Sequence, residues 1–296
     1  MGYRFVPAGA TTDQHSMHDP PPTPALSDAA AALLDGGHLW LREHVTGSPF
    51  RFQLQPSGVL AFGDGEREFD ADDVPLPYAH AVRHVREHFD RAAFRGSVDD
   101  VASVTFVGVA VDGSGVAYDW SRTPSFLGTE VYDGDHGAAL PPDSVQAIYD
   151  GLGLAAANAL EKEVRAVDFD ADGYAFPESD WRDGPVAGVL LADKTGHRAV
   201  LRNTAVGGGD GPGTEAATPA ALVERHATDR WLDGVVGGLG VADDELGFDL
   251  LFERAVEALA REQVRAFRDG SADTDESAVG SAMADRVEAY LVDRRE

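Results

Sequence analysis

The sequence predicts an α+β fold, with antiparallel sheets over residues 38–202 and an all-α module at the carboxy end. Three observations predict it. Short apolar–polar alternating segments, separated by turn residues, fill the first part of the chain. A glycine-rich stretch, Gly207-Gly208-Gly209-Asp210-Gly211-Pro212-Gly213, then interrupts the pattern. Beyond it apolar residues such as Leu246, Leu250, Leu251, Val256 and Leu259 recur at helical spacing. With 296 residues, 43% of them apolar, the chain has enough material for a sizeable core.

The elements follow in order. Residues 1–36 are polar and turn-rich, with Pro20-Pro21-Pro22 and Pro24, and read as an extended arm with one short helix over 26–34. Alternation predicts strands over 38–42 and 50–54. A further strand over 59–62 completes a hairpin after Pro56-Ser57-Gly58. Residues 78–94 are amphipathic, with Val82, Val85 and Phe89 on one face, and predict one helix. Strands are expected at 104–109 and 126–131. A helix over 141–152 has proline in its first turn and Gly153 at its end. Strands at 186–191 and 198–201 form a hairpin around Lys194-Thr195-Gly196. After a linker at 204–218, helices are expected over 219–232, 244–268 and 276–294.

Charge and composition exclude several functions. The chain carries 51 acidic residues against 24 basic ones, a net charge of −27. A surface this negative repels a polyanion, which excludes a broad nucleic-acid footprint such as a DNA-binding face, but not a local cleft. Lys162 and Lys194 are the only lysines. An acidic, lysine-poor, arginine-retaining chain resembles proteins of salt-loving cells, where salt screens the self-repulsion. The absence of cysteine excludes disulfides, thiolate metal sites and a Cys nucleophile. No apolar run approaches the roughly 18 residues of a membrane helix, and no signal-peptide pattern opens the chain. The expectation is a cytoplasmic protein away from membranes.

The segment Glu43-His44-Val45-Thr46-Gly47-Ser48, between two predicted strands and followed by Phe50, resembles the nucleotidyl-acceptor motif of RNA ligases. In that family the motif reads Glu-Lys-x-x-Gly-Ser/Thr, with Phe two residues on. The resemblance continues in order. Val107-Gly108-Val109 stands where the family has an apolar residue, Gly and Glu, and Phe126-Leu127-Gly128-Thr129-Glu130-Val131 where it has aromatic-x-x-Phe-Asp-apolar. Ala187-Gly188-Val189-Leu190 stands at Glu-Gly-apolar-apolar, and Arg198-Ala199-Val200 at Lys-x-Lys. The resemblance implies an antiparallel-sheet nucleotidyltransferase domain over 37–203 and suits a helical carboxy-terminal domain over 219–296. It makes His44 the acceptor position and Glu43, Gly47, Ser48, Glu130, Gly188 and Arg198 the nucleotide-binding positions.

The departures bear directly on activity. The family's lysine attacks the ATP α-phosphate as a partly unprotonated amine and carries AMP; here that position is His44. Its two motif glutamates become Val109 and Ala187, its adenine-stacking ring becomes Thr129, and its second lysine in the last motif becomes Val200. Losing metal-site carboxylates and a phosphate-clamping cation removes transition-state stabilisation. The expected function is an RNA-ligase-like protein with a degraded adenylylation site that binds a nucleotide or RNA end. One alternative is an active ATP-dependent RNA ligase, using Mg or Mn, with His44 as acceptor. A second is a non-catalytic interaction protein.

Other groupings are weaker signals. His80, His84 and His88 share a helical stripe and pose a metal site against a solvated polar face; no metal ligands are assigned. Trp120 and Arg122 read either as a base-stacking pair or as cover for the sheet edge, with Asp119 paired to Arg122. Trp181-Arg182-Asp183-Gly184 reads as a structural turn. Asp168, Asp170 and Asp172 alternate without the glycine and distal glutamate of a calcium loop.

Overall fold

The alternating segments resolve into two antiparallel sheets that face one another. The computed structural model describes residues 17–70, 73–206, 218–242, 245–268 and 275–294. Most of the predicted linker and residues 1–16 of the predicted arm lie outside the described residues. The strands are β1 (His38–Glu43), β2 (Gly47–Leu54), β3 (Leu60–Gly63), β4 (Val104–Val111), β5 (Phe126–Asp133), β6 (Ala138–Ala139), β7 (Ala159–Arg165), β8 (Gly188–Ala192) and β9 (Arg198–Arg202). One sheet has the order β7-β1-β8-β9 and the other β3-β2-β4-β5-β6.

Each sheet buries its outer face under helices. On the five-stranded sheet, Phe50, Phe52, Phe106 and Phe126 pack with Val82 and Val85 of α2 (Leu76–His88) and Tyr149 of α4 (Pro142–Gly151), across from α3 (Arg91–Arg95). Phe52 and Phe106 stack at 4.7 Å, so large aromatic surfaces supply most of this core. On the four-stranded sheet, Leu39, Leu41, Val189 and Leu191 pack with Leu26 and Leu33 of α1 (Leu26–Leu33). Strand alternation turns the intervening residues inward. Arg42, Leu190 and Val200 of one sheet and Arg51 and Val107 of the other thus line the space between the sheets.

The carboxy-terminal helices are α5 (Pro219–His226), α6 (Asp229–Leu239), α7 (Phe248–Glu262), α8 (Val264–Arg268) and α9 (Glu276–Asp293). They share a core of Leu222, Leu232, Leu251, Leu259, Met283 and Val287. This group is docked on the sheets. Arg83 of α2 meets Glu257 of α7 at 2.7 Å. Arg261 donates to the carbonyls of Val111 (2.9 Å), Thr123 (3.1 Å) and Pro124 (2.9 Å).

The segment ahead of α1 spans the two sheets. On the five-stranded side the His18 amide donates to Thr105 Oγ1 at 3.0 Å, the His18 ring stacks on Tyr132 at 3.4 Å, and Arg51 donates to the Met17 carbonyl at 3.1 Å. On the other side Pro21 O accepts from Arg198 at 2.8 Å and Pro24 O from the Val200 amide at 2.9 Å.

Several boundaries differ from expectation, each for a local reason. The helix expected over 78–94 is two helices, because Asp90 accepts from the amides of Ala92 (3.0 Å) and Ala93 (2.8 Å) and caps a new start. Thr228 divides 219–232 in the same way by accepting from Trp231 N at 3.3 Å. The helix expected from 244 begins at Phe248, and α7 ends before Gln263. Strand β7 was not expected; its side chains are mostly exposed, its pairing with β1 is twice irregular, and Glu163 adopts φ 57. Lys162 lies on this edge strand. Among the described residues no helix is long and apolar enough to cross a membrane.

Candidate functional site

The space between the sheets is a cleft of about 1020 Å³. Glu43, His44, Gly47, Glu130 and Arg198, from four separate segments, line it together. The end of β1 places the first two. The Glu43 amide donates to Asn158 O and the His44 amide to Gly188 O, both at 2.9 Å, so the backbone is held on both sides. Gly47 and Gly188 are glycines because strands close on them. A Cβ on Gly47 would fall 2.4 Å from Ala110 O, and one on Gly188 would fall 2.7 Å from Leu201 O and 3.3 Å from the His44 ring.

A β-bulge sets Glu130. In β4–β5, Val107 pairs with Glu130 but Gly108 pairs with Gly128, which leaves Thr129 as an additional residue. Thr129 and Glu130 consequently both line the cleft. Glu130 forms a salt bridge with Arg198, and both side chains are largely buried.

Two of the proposed binding positions stand apart from the cleft lining. Ser48 is fully buried, and its hydroxyl donates to Asp112 at 2.5 Å. Gly188 contributes through its contact with His44 rather than as a lining residue. Ala187 packs away from the cleft in a cluster with Val45, Val111 and Leu127, and Val109 packs against that cluster while also lining the cleft. Val200 stays in the cleft wall beside Leu190.

The electrostatics of the cleft favour a neutral imidazole and leave one buried guanidinium with two nitrogens lacking an acceptor. Burial, aided by the Arg202 guanidinium, pushes His44 down to about 4 from 6.5. Arg202 Nη1 lies 3.4 Å from His44 Nε2, which makes Nε2 the acceptor. Burial pushes the Glu43 carboxyl up, although Ser179 Oγ donates to it at 2.5 Å. Arg42 was not singled out from sequence. It is 4% exposed, lines the cleft, and has no partner for Nε or Nη1. Alternation in Leu39-Trp40-Leu41-Arg42 carries the signal, since two buried leucines put the arginine on the opposite, inward face.

The remaining groupings are structural. His80 is buried, while His84 and His88 stack at 4.3 Å, so the three do not form one open stripe. Trp120 lies under Arg261 at 4.3 Å, and Arg122 pairs with Asp119 (3.3 Å) and Asp183 (3.0 Å). Asp170 accepts from the amides of Asp172 and Gly173 in a turn. Lys162 Nζ sits 4.7 Å over the Trp40 ring, and Lys194 pairs with Glu163 at 2.8 Å.

This donor set suits one expected ligand and not the other. An orphaned buried guanidinium beside Arg198 suits phosphate groups. A divalent metal does not fit: Glu130 is engaged by Arg198, and no group of three His, Asp or Glu among the described residues is placed to hold one.

No protein-family profile matches the chain, and no curated protein matches it in sequence. In structure it is similar to Naegleria gruberi RNA ligase with PPi, at a TM-score of 0.48 and 12% identity over 69% of this chain and 63% of that one. It is similar to a variant of that enzyme with ATP and Mn (TM-score 0.48, 12% identity, 64% and 57% covered). A third similar structure is a variant with AMP and Mn (TM-score 0.48, 12% identity, 62% and 56% covered). This chain thus spans less than two thirds of the length of those proteins.

Proposed function

We propose that the cleft receives a nucleotide or a phosphorylated RNA end, and that the chain is an RNA-ligase-like protein whose adenylylation site is degraded. One observation carries this reading. Glu43, His44, Glu130 and Arg198, distant in sequence and each at a motif position, converge in one cleft that has no lysine at the acceptor position. Of the two lysines, Lys162 lies over an indole, and Lys194 borders the cleft but is paired with Glu163. Covalent capture of AMP needs a nucleophile with its lone pair free and cations on the leaving phosphates. His44 Nε2 faces Arg202, and the position of the second phosphate-binding cation is Val200.

A second reading, an atypical ATP-dependent RNA ligase that uses His44, has one observation in its favour: the imidazole stays neutral down to about pH 4, as a nucleophile must. Incubation with ATP and Mg or Mn in molar potassium chloride, followed by intact-mass measurement of wild type and His44→Ala, separates the readings. The expected outcome is no mass gain, with ATP or 5′-phosphorylated RNA retained in equilibrium binding. An AMP adduct lost in His44→Ala establishes the second reading. An adduct on Lys162 or Lys194, or no binding of either ligand, overturns both.

A further inference from the structure

We propose that Arg42 supplies the phosphate-binding cation of this cleft, in place of the one missing at Val200. The proposal rests on the nucleotide or RNA-end reading above and names the chemistry that holds the ligand, an organic di- or triphosphate. Register carries the argument. Arg42 pairs with Leu190, and Leu190 pairs with Val200. The three form one row across the four-stranded sheet, and residues in register on an antiparallel sheet share a face. Adjacent strands lie about 4.8 Å apart, so the two ends of the row are about 10 Å apart at the backbone. The arginine stem covers much of that span. A cation rooted two strands away thereby faces the same part of the cleft as a lysine at 200.

The state of Arg42 calls for an anion. Its side chain is buried, two of its nitrogens have no acceptor, and the groups that act on it are the Tyr149 hydroxyl and the like charge of Arg198. Glu130, which lines the same cleft, is bound to Arg198. Glu43 is directed to Ser179. A guanidinium does not shed its proton near neutral pH, so it remains a buried charge without a counter-ion. Between Leu190 and Ala159, its partners in register, an apolar side chain would pack at lower cost. The arrangement opposes stability of the ligand-free protein, which is the mark of a group kept for what it binds. A phosphate beside Arg42 would give its two open nitrogens an acceptor; the planar fork of donors matches its oxygens.

The experiment measures ATP, inorganic tripolyphosphate and adenosine binding in molar potassium chloride, with the thermal midpoint of each ligand-free protein. The proteins are wild type, Arg42→Met, Arg42→Lys, and Arg42→Met combined with Val200→Lys. Wild type should bind ATP and tripolyphosphate but not adenosine. Arg42→Met should bind both at least about tenfold more weakly, while its ligand-free midpoint equals or exceeds that of wild type. Arg42→Lys should bind with intermediate affinity. Adding Val200→Lys should recover most of the loss, an effect that a purely structural role for Arg42 does not produce. Retention of wild-type affinity by Arg42→Met overturns the proposal and leaves the nucleotide reading standing. Arg42-dependent binding of tripolyphosphate without ATP binding leaves the proposal standing and removes the nucleotide reading. If wild type binds neither, both fall. Failure of both methionine-containing proteins to fold marks Arg42 as structural and overturns the proposal.

Discussion

His44 shows how a single side chain couples the cleft to solution conditions. Its ring is held neutral by burial and by Arg202, and His84 is likewise pushed down to about 4, chiefly by burial. In the unfolded chain both rings take up a proton near the ordinary 6.5. Between about pH 6.5 and 4 the unfolded state therefore binds more protons than the folded one, and stability falls as pH falls. The thermal midpoint of wild type should drop across this window. A His44→Gln/His84→Gln protein should show a shallower drop by circular dichroism in the same salt. An unchanged slope would show that neither ring contributes. At this scale the sequence was informative about which residues meet, since Glu43, His44, Glu130 and Arg198 line one cleft. It was silent on Arg42, since no motif marks that position and only the packing around β1 reveals an arginine without a counter-ion.

Among the elements, α7 is the joint between the carboxy-terminal helices and the sheets. Arg261 satisfies three backbone carbonyls on the β4–β5 side, and its guanidinium covers Trp120. Arg261→Met leaves those carbonyls without their donor, at a cost of roughly 3 kcal/mol. Denaturant titration should record that loss, and amide exchange in α7 should quicken; a change below about 0.5 kcal/mol would show that the joint lies elsewhere. The positions of β1, β2, β4, β5 and β8 and the helical nature of the carboxy end were legible from apolar patterning, because residues such as Leu39 and Leu41, Phe50 and Phe52, or Met283 and Val287 recur at the period of their element and are buried there. What escaped was β7, whose Ala-Leu-Glu-Lys-Glu-Val-Arg has an irregular edge pairing and little burial to pattern it. The helix breaks at Asp90 and Thr228 also escaped, because apolar spacing runs on through a cap while the side-chain oxygen ends the helix.

Taken whole, the molecule has an uneven distribution of charge. It carries −27, yet six basic and six acidic side chains among the described residues line the cleft, which is thus locally balanced within an acidic body. Self-repulsion of the acidic exterior opposes compaction and is screened by salt within a Debye length of about 10 Å at 0.1 M and about 3 Å at 1 M. The thermal midpoint should rise steadily from 0.1 M to molar potassium chloride. A midpoint independent of salt would show that repulsion is not a term in this fold's stability.

The bulge in β5 makes one point of the strand tolerant of a change in chain length. Upstream of it the positions packed toward the helices are Phe126 and Gly128; downstream the next is Val131, three residues on instead of two. Thr129 absorbs the difference in parity. Removal of Thr129 restores regular alternation: Glu130 then follows Gly128 directly and still faces the cleft, and Val131 still faces the aromatic core. Removal of a residue from the regular part of the strand instead exchanges inside for outside along the remainder. Sequences that share the cleft can lose a residue at the bulge without reversing the faces of β5, and the loss takes Thr129 from the cleft wall while keeping Glu130 in it.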